Sequence, residues 1–383
     1  MFIYLDNAAT TQVDPRVLLA MEKYFLQDFA NSSAIHIAGE KVDKDLNLAK
    51  EKVAKLLRAD NKELIFTGSA SEANNFIIKG VMRANKDKGK HLIVSQIEHP
   101  CVLAPAKELT QEGFEVSYVP VDKNGLVKLS ELQKMIKPET VLVSIMTANN
   151  ELGTVQDISK IAKIVKKAGA YFHTDAVQVV PYLDINMEKD NIDFLTLSAH
   201  KFHGPKGVGL AVISPEIKIT PLITGGEQNN SLRAGTINTP GIIGFSKALE
   251  IAYRDKDKIR EKVKGLRDYF LNKVKREIDK VELNGSLEKR LPSNLNLRFH
   301  GVEGEAVLMD LSQQGICVST GSACSAQNLK TSYVLQALSI TPDYLNSNIR
   351  FSFSKYNSKK ELDETIKVLK ASVARLRAFS PIK

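Results

Sequence analysis

The stretch Ser198-Ala199-His200-Lys201-Phe202-His203-Gly204-Pro205-Lys206-Gly207-Val208-Gly209 decides how the chain is read. An apolar run with strand character, Phe194-Leu195-Thr196-Leu197, leads into it, and a second apolar run, 208–213, leaves it. Lys201 therefore sits where a buried strand opens, between two histidines and ahead of a Gly-Pro-Lys-Gly turn. Desolvation at such a place disfavours the ammonium form of a lysine. The neutral amine can condense with an aldehyde, and the commonest protein-bound aldehyde is pyridoxal phosphate. A solvated lysine in a basic turn fits the same residues, so the rest of the chain has to decide.

Outward from that stretch, short β-rich runs alternate with helical patterns. Strands are predicted at 64–67, 91–95, 114–119, 141–146, 170–174 and 194–197, with the apolar run 208–213 after them, and helices at 14–27, 36–57, from about 71, and at 158–168. Strands separated by helices predict an α/β fold with a mainly parallel sheet covered on both faces. In such sheets ligands bind beyond the carboxyl ends of the strands. No internal repeat and no low-complexity linker interrupts the pattern. The composition shifts at a charged helix near 254, beyond which strands become fewer. The chain closes on an amphipathic helix with Leu362, Ile366, Leu369, Val373 and Leu376 at spacings of four and three. The expected organisation is a large domain of residues 14–255 and a smaller one of 256–383, joined by the N-terminal strand within 1–13.

Composition narrows the class of protein. The 383 residues, 43% hydrophobic and 25% charged, suit an ordinary soluble globular chain large enough for these two domains. No apolar run is long enough to span a membrane. The start, Met1-Phe2-Ile3-Tyr4-Leu5-Asp6, lacks the basic and long apolar regions of a signal peptide. Three cysteines, Cys101, Cys317 and Cys324, make a disulfide framework improbable, so a reducing cytoplasm is expected. The net charge of +9 raises nucleic-acid binding as a possibility. From Arg254 to Lys280, however, eleven Lys/Arg alternate with six Asp/Glu, the pattern of a solvated helix face. Nucleic-acid binding is therefore not expected as the main function, and no metal is expected.

The strand exits carry the candidate chemistry. Thr67-Gly68-Ser69-Ala70-Ser71-Glu72-Ala73-Asn74 opens a helix with small residues and hydroxyls, which suits an anion because backbone N–H groups and the helix dipole face it. A plain N-cap at Ser71 explains it equally. His173-Thr174-Asp175-Ala176-Val177-Gln178 places an aspartate where it could pair with a pyridinium nitrogen and make the ring an electron sink, or simply cap a helix. The ring of His99, in Glu98-His99-Pro100, could stack on a flat cofactor or be structural. No single feature is specific. The set, in this order, is.

At this point the sequence resembles the pyridoxal phosphate-dependent cysteine desulfurases of the NifS/IscS type, within the class V aminotransferase fold. Matching segments run from Tyr4-Leu5-Asp6-Asn7-Ala8-Ala9-Thr10-Thr11 through Asn149-Asn150-Glu151-Leu152-Gly153, Ser198-Ala199-His200-Lys201, Arg233-Ala234-Gly235-Thr236, Val302-Glu303-Gly304-Glu305 and Ser319-Thr320-Gly321-Ser322-Ala323-Cys324 to Leu376-Arg377-Ala378-Phe379-Ser380-Pro381. They cover nearly the whole chain. The resemblance implies the fold type I of pyridoxal phosphate-dependent transferases, with a seven-stranded, mainly parallel sheet. It implies that Lys201 carries the cofactor as a Schiff base, that Ala70, Ser71, Ser198 and His200 bind its phosphate, that His99 stacks on its ring, that Asp175 pairs with its nitrogen and that Gln178 bonds its phenolic oxygen. It implies further that Arg350 clamps the substrate α-carboxylate, for which a guanidinium fork is well shaped, with Asn150 assisting at carboxylate and ring.

Cys324 selects the reaction. It lies among small residues, 319–325, in a stretch with little reason to be rigid. A cysteine near its ordinary pKa of ~8.5 is only slightly ionised at neutral pH, yet its thiolate is a strong nucleophile. A buried small hydrophobe is the alternative for any free cysteine, and Cys317, between Ile316 and Val318, fits it. Cys101 stands near His99 but outside any such small-residue stretch. The implied reaction converts L-cysteine to L-alanine, leaves a persulfide on Cys324 and passes sulfur to an acceptor protein such as an iron–sulfur scaffold. The implied assembly is a homodimer in which Thr236 gives its hydroxyl to the neighbouring subunit's phosphate. An aminotransferase or selenocysteine lyase of the same fold, or a non-catalytic assembly protein, are the alternatives. The sequence departs from the family pattern at Gly68-Ser69, usually Ser-Gly, at Gly225-Gly226-Glu227-Gln228, usually Gly-Gly-Gln-Glu, and at Thr147, often histidine.

Overall fold

Five short runs, Leu64–Thr67, His91–Ser95, Thr140–Ser144, Phe194–Ser198 and Gly209–Ile213, are buried at every residue. The computed structural model describes residues 2–60, 63–321 and 331–379, and in it these runs become strands of one sheet. In chain order the first elements are β1 (Ile3–Tyr4), α1 (Pro15–Leu26), α2 (Ile37–Leu57), β2 (Leu64–Thr67), α3 (Ala70–Ala84), β3 (His91–Ser95), α4 (Pro100–Gln111) and β4 (Glu115–Val119). There follow α5 (Leu129–Met135), β5 (Thr140–Ser144), α6 (Ile158–Lys167), β6 (Tyr171–Asp175), β7 (Phe194–Ser198), β8 (Gly209–Ile213), α7 (Thr239–Arg254) and α8 (Lys256–Glu277). The last are β9 (Val281–Leu283), β10 (Asn294–Phe299), α9 (Gly304–Gln313), β11 (Ile316–Cys317), α10 (Tyr333–Ala337), β12 (Asn348–Ser352) and α11 (Lys359–Phe379).

The seven-stranded sheet has the order β2-β8-β7-β6-β5-β3-β4. Strands β7, β6, β5, β3 and β4 are mutually parallel. Strand β8 runs antiparallel to both β7 and β2. It follows that β2 points the same way as β7, and six strands end at one edge of the sheet. Alternate residues feed two apolar layers: Leu92 and Val94 pack on one face, Ile93 and Val143 on the other. All residues of β3, β5 and β7 are buried, which is what helices on both faces require.

The remaining strands form a three-stranded antiparallel sheet, β12-β10-β9, and a parallel pair of β1 with β11. The N-terminal strand thus pairs with a strand from the C-terminal part of the chain. Two local expectations are corrected. The helix after β2 is capped by Ser69 and not by Ser71. Ser69 Oγ accepts the Glu72 N–H while Glu72 Oε2 accepts the Gly68 N–H, a reciprocal arrangement that only Ser69, three residues before a glutamate, can make. Cys317 is only half-buried, because β11 is two residues long and is flanked by β1 alone in its sheet.

Candidate active site

The edge where six strands end is also where the predicted chemistry converges. A cavity of about 260 Å³ there is lined by Ala8, Ala9, Ser69, Ala70, Ser71, His99, Cys101, Met146, Ala148, Asn150, Asp175, Val177, Gln178, Ser198, His200, Lys201, Gly321 and Arg350. Sequence separation is therefore no guide to proximity: the exits of β2, β3, β5, β6 and β7 each contribute.

Lys201 ends a single 3-10 turn, Ala199–Lys201, that follows β7 directly. Its Nζ donates to the carbonyls of Ala8 (2.7 Å) and Ala9 (2.8 Å). The N-terminal segment thus roofs the lysine, and it is held there by its threonines. Thr11 Oγ1 donates to the His200 carbonyl at 2.9 Å, and the His203 N–H donates to Thr11 Oγ1 at 2.8 Å. Gln178 Nε2 shares the Ala8 carbonyl at 3.1 Å. Burial, helped by the charges of Lys201 and Lys206, pushes His200 down to about 4, so its ring is neutral at physiological pH and pairs with Thr10 Oγ1 at 3.1 Å.

Asp175 closes β6 and is buried. Its Oδ2 accepts from Asn74 Nδ2 at 2.8 Å, and its Oδ1 accepts the Val177 N–H at 3.0 Å. His99 caps α4 and accepts the Cys101 N–H on Nδ1 at 3.2 Å. Burial is the main reason its pKa lies below the ordinary histidine value; Asp175 opposes that shift and Lys201 adds to it. Cys101 Sγ lies 2.9 Å from His99 Nδ1 and accepts from Asn74 Nδ2 at 3.0 Å. Burial pushes this thiol up to about 12, which keeps it protonated and poor as a nucleophile.

Arg350 lies on β12, in register with Asn296 of β10. Its Nη1 donates to the Asn150 carbonyl at 3.1 Å and its Nη2 to Asp6 Oδ1 at 2.6 Å. Its Nε is buried without a partner among the described residues. Asn150 belongs to a turn fastened from below: Asn149 Oδ1 accepts the Glu151 and Leu152 N–H groups, and Asn294 and Asn296 donate to the Glu151 carbonyl.

Of the sequence-predicted residues, Lys201, His99, Ala70, Ser71, Asn150, Asp175, Gln178, Ser198, His200 and Arg350 line the one cavity. Thr236 is exposed and is not among the lining residues. Cys324 lies outside the described residues. Asn74 and Asp6, which hold Asp175 and Arg350, were not predicted as site residues. A polar residue on the buried face of an apolar helix was the available signal for Asn74. Asp6 had none, since its partner is 344 positions away.

The residues fit pyridoxal phosphate. Helix α3 presents its N-terminus to the cavity with hydroxyls from Ser71 and Ser198 beside it. A buried carboxylate, a neutral imidazole and a primary amine stand in the same space. Gly209 lets β8 approach this cradle: a Cβ there would lie 2.4 Å from the Ser69 carbonyl carbon and 2.7 Å from the Ala70 nitrogen. The buried, unpartnered Nε of Arg350 is a donor that an α-carboxylate could satisfy.

A fold of this kind with such a site defines a pyridoxal phosphate enzyme of fold type I. Residues 3–365 match the model of the aminotransferase class-V family, and the chain belongs to that family. The cysteine desulfurase IscS of Dictyoglomus turgidum is 45% identical over 381 residues, spanning 100% of this chain and 97% of its own. Among solved structures, a NifS-like protein superposes with a TM-score of 0.93 at 37% identity, covering 98% of this chain and 100% of its own. The structure of SspA in complex with cysteine superposes at 0.83 and 35% identity, covering 93% and 100% respectively. The family's chemistry depends on pyridoxal phosphate.

Proposed function

We infer that the chain is a cysteine desulfurase that converts L-cysteine to L-alanine and delivers the sulfur to an acceptor protein. The observation that carries the reading is the meeting of Lys201, Asp175, His99 and Arg350 on one cavity floored by the N-terminus of α3. The relatives named as cysteine desulfurases, at 41–45% identity over 99–100% of this chain, favour this reaction over amino-group transfer.

Pyridoxal phosphate, when bound, supplies an electron sink for the bonds at the substrate α-carbon. The protein's part is binding, orientation and proton handling. Lys201 would hold the cofactor through Nζ, and the same amine could hold or move a proton at that atom. Asp175, oriented by the donors of Asn74 and Val177, would stabilise positive charge on the pyridine nitrogen. His99 offers a neutral ring face, and Gln178 an amide for the phenolic oxygen. Arg350 and Asn150 hold the α-carboxylate. The Cys324 thiolate attacks the substrate thiol sulfur: an S–S bond forms, the substrate Cβ–S bond breaks, and the carbon gains a proton. Atoms balance as cysteine plus enzyme thiol giving alanine plus enzyme persulfide.

The domain division at 14–255 against 1–13 with 256–383 belongs to the same reading, supported by the confinement of the large sheet to β2–β8 and the pairing of β1 with β11. So does a homodimer with Thr236 reaching the partner's phosphate, supported by its exposure outside the cavity of its own chain. An iron–sulfur scaffold is the proposed acceptor. A cytoplasmic setting is proposed with it; no helix of the described residues is long and apolar enough to cross a membrane.

Incubation with L-cysteine and a reductant, followed by assays for alanine and for protein-bound persulfide, tests the function. Cys324→Ala should bind pyridoxal phosphate with an unchanged absorption spectrum and release no alanine. Unimpaired alanine release by that variant, or keto-acid-dependent amino transfer by the parent, refutes the reading.

A further inference from the structure

Arg350 is engaged by an acid of its own chain. Its side chain is 3% exposed and its Nη2 is 2.6 Å from Asp6 Oδ1, whose side chain is 17% exposed. The contact is built into the backbone. Asp6 forms a parallel bridge with Ser352, and the Asn7 N–H donates to the Ser352 carbonyl, so the strand that carries the arginine also fixes its acid. Ser319 forms an antiparallel bridge with Arg350 itself, on the edge of β12 that also carries Asp6. The Nη1 contact to the Asn150 carbonyl completes the orientation. Two of five guanidinium donors are occupied, and the rest keep the shape needed for a carboxylate.

The charge balance is the unexpected part. A clamp for an α-carboxylate gains its affinity from an uncompensated cation, yet this cation faces a full carboxylate in hydrogen-bond contact. Glu151 also faces it; burial raises that acid to about 7, opposed by Ser332 and by Arg350 itself, so near neutrality it is only partly charged. Tyr4 is the other titratable group in its field from β1, and burial keeps that phenol neutral. The protein's own groups around Arg350 therefore largely balance its charge. An incoming carboxylate meets the donors of Arg350 in good geometry and the repulsion of Asp6 from the far side of the same guanidinium.

We propose that Asp6 is a positioning residue for the reaction inferred above: it orients Arg350 and at the same time weakens the subsite for the amino-acid carboxylate, so that substrate and product remain readily exchangeable. The two effects have opposite signs and separate on substitution. Asp6→Asn keeps an oxygen that can accept from Nη2 and removes the charge. Asp6→Ala removes both. L-Alanine carries the carboxylate; L-alaninamide has the same skeleton without the charge.

The experiment titrates holoenzyme with each of these two ligands and follows the cofactor's visible absorbance to obtain dissociation constants. Loss of one like charge about two hydrogen bonds away should tighten L-alanine about tenfold in Asp6→Asn. L-Alaninamide should change less than about twofold, because the removed interaction is with the charge. KM for L-cysteine should fall in the same variant without a rise in kcat. Asp6→Ala should bind L-alanine more weakly than Asp6→Asn, since the guanidinium loses its anchor. An unchanged or lowered preference of Asp6→Asn for L-alanine over L-alaninamide overturns the proposal by itself, whether or not Asp6→Ala folds. If the parent enzyme shows no spectral response to L-alanine or L-cysteine, the desulfurase reading fails and this proposal fails with it. A normal parent titration with a flat Asp6→Asn ratio condemns the role of Asp6 alone.

Discussion

At the scale of single residues, burial decides protonation and protonation decides roles. Lys201 is the residue on which the reading turns. Borohydride reduction of the holoenzyme followed by peptide mapping should place the pyridoxyl group on it, and a label on Lys206 instead would reject the assignment. Glu98 gives a test of a different kind. It is fully buried beside His99, and burial, with Asp175 adding, pushes it up to about 8 despite the hydrogen bonds from Ser95 Oγ (2.6 Å) and the Met146 N–H (2.8 Å). Its Oε2 has no partner among the described residues. In the unfolded chain the same group ionises near ~4.3. A folded pKa raised in this way contributes stability that is full below that value and is lost as pH rises through about 8. Glu98→Gln keeps the shape and the acceptor and cannot ionise. Its melting temperature should therefore fall less than the parent's between about pH 6 and pH 9. Parallel declines of the two proteins would show that Glu98 is not the group responsible.

Elements bring those residues together, and here the sequence was informative to different depths. The strands β2, β3, β5, β7 and β8 stood out as short β-rich runs, because a strand buried on both faces has no polar alternation to hide it, whereas the partly exposed edge strand β4 showed only as a mixed run. The helix 36–57 was legible to within one residue of Ile37–Leu57. The grouping of the candidate residues at the strand exits was legible too, since Asp175 ends a strand and Lys201 and His99 come within four residues of one. Contacts between distant segments were not. Nothing local marks Asp6 as the partner of Arg350, or Tyr333 as the donor to the Glu98 carbonyl at 2.6 Å, because both follow from the strand order and register. The order β2-β8-β7 also gives Gly209 a role that its own sequence neighbours do not reveal. It faces Thr67 on β2 and Ser198 on β7, and a methyl group there would strike the backbone at Ser69. Gly209→Ala should force β8 away from the start of α3, with a stability loss of about 1–3 kcal/mol of the kind overpacking produces. The cofactor should bind more weakly as well, and equilibrium dialysis of pyridoxal phosphate against the variant measures it. Undiminished cofactor affinity would mean that the phosphate cradle does not depend on this close approach.

At the scale of the whole molecule, one chain does not account for all of its own surface. Leu18, Leu19, Phe25, Leu26, Phe29, Ile35 and Ile37 are exposed along α1, the start of α2 and their connection, which is a larger apolar area than a lone soluble chain tends to keep. Thr236 stands in a segment tied to the cofactor helix by the Arg233–Glu72 ion pair, yet outside the cavity of its own chain. A phosphate dianion needs several donors, and the N-terminus of one helix supplies only some of them. These observations support the proposed two-fold dimer in which each subunit completes the other's site. Mixed dimers test it sharply. Co-express a Lys201→Ala chain with a Thr236→Ala chain under different affinity tags and isolate the heterodimer. If the threonine acts across the interface, the site that retains Lys201 receives its threonine from the Lys201→Ala chain, where Thr236 is intact. One fully equipped site per heterodimer should result, with alanine release above that of either mutant homodimer. The other site lacks both groups and contributes nothing. If Thr236 serves its own chain, each site of the heterodimer carries one defect, as in the homodimers, and no rescue appears. A light-scattering mass near the 42.4 kDa of a single chain, for protein that is fully active, would defeat the dimer altogether.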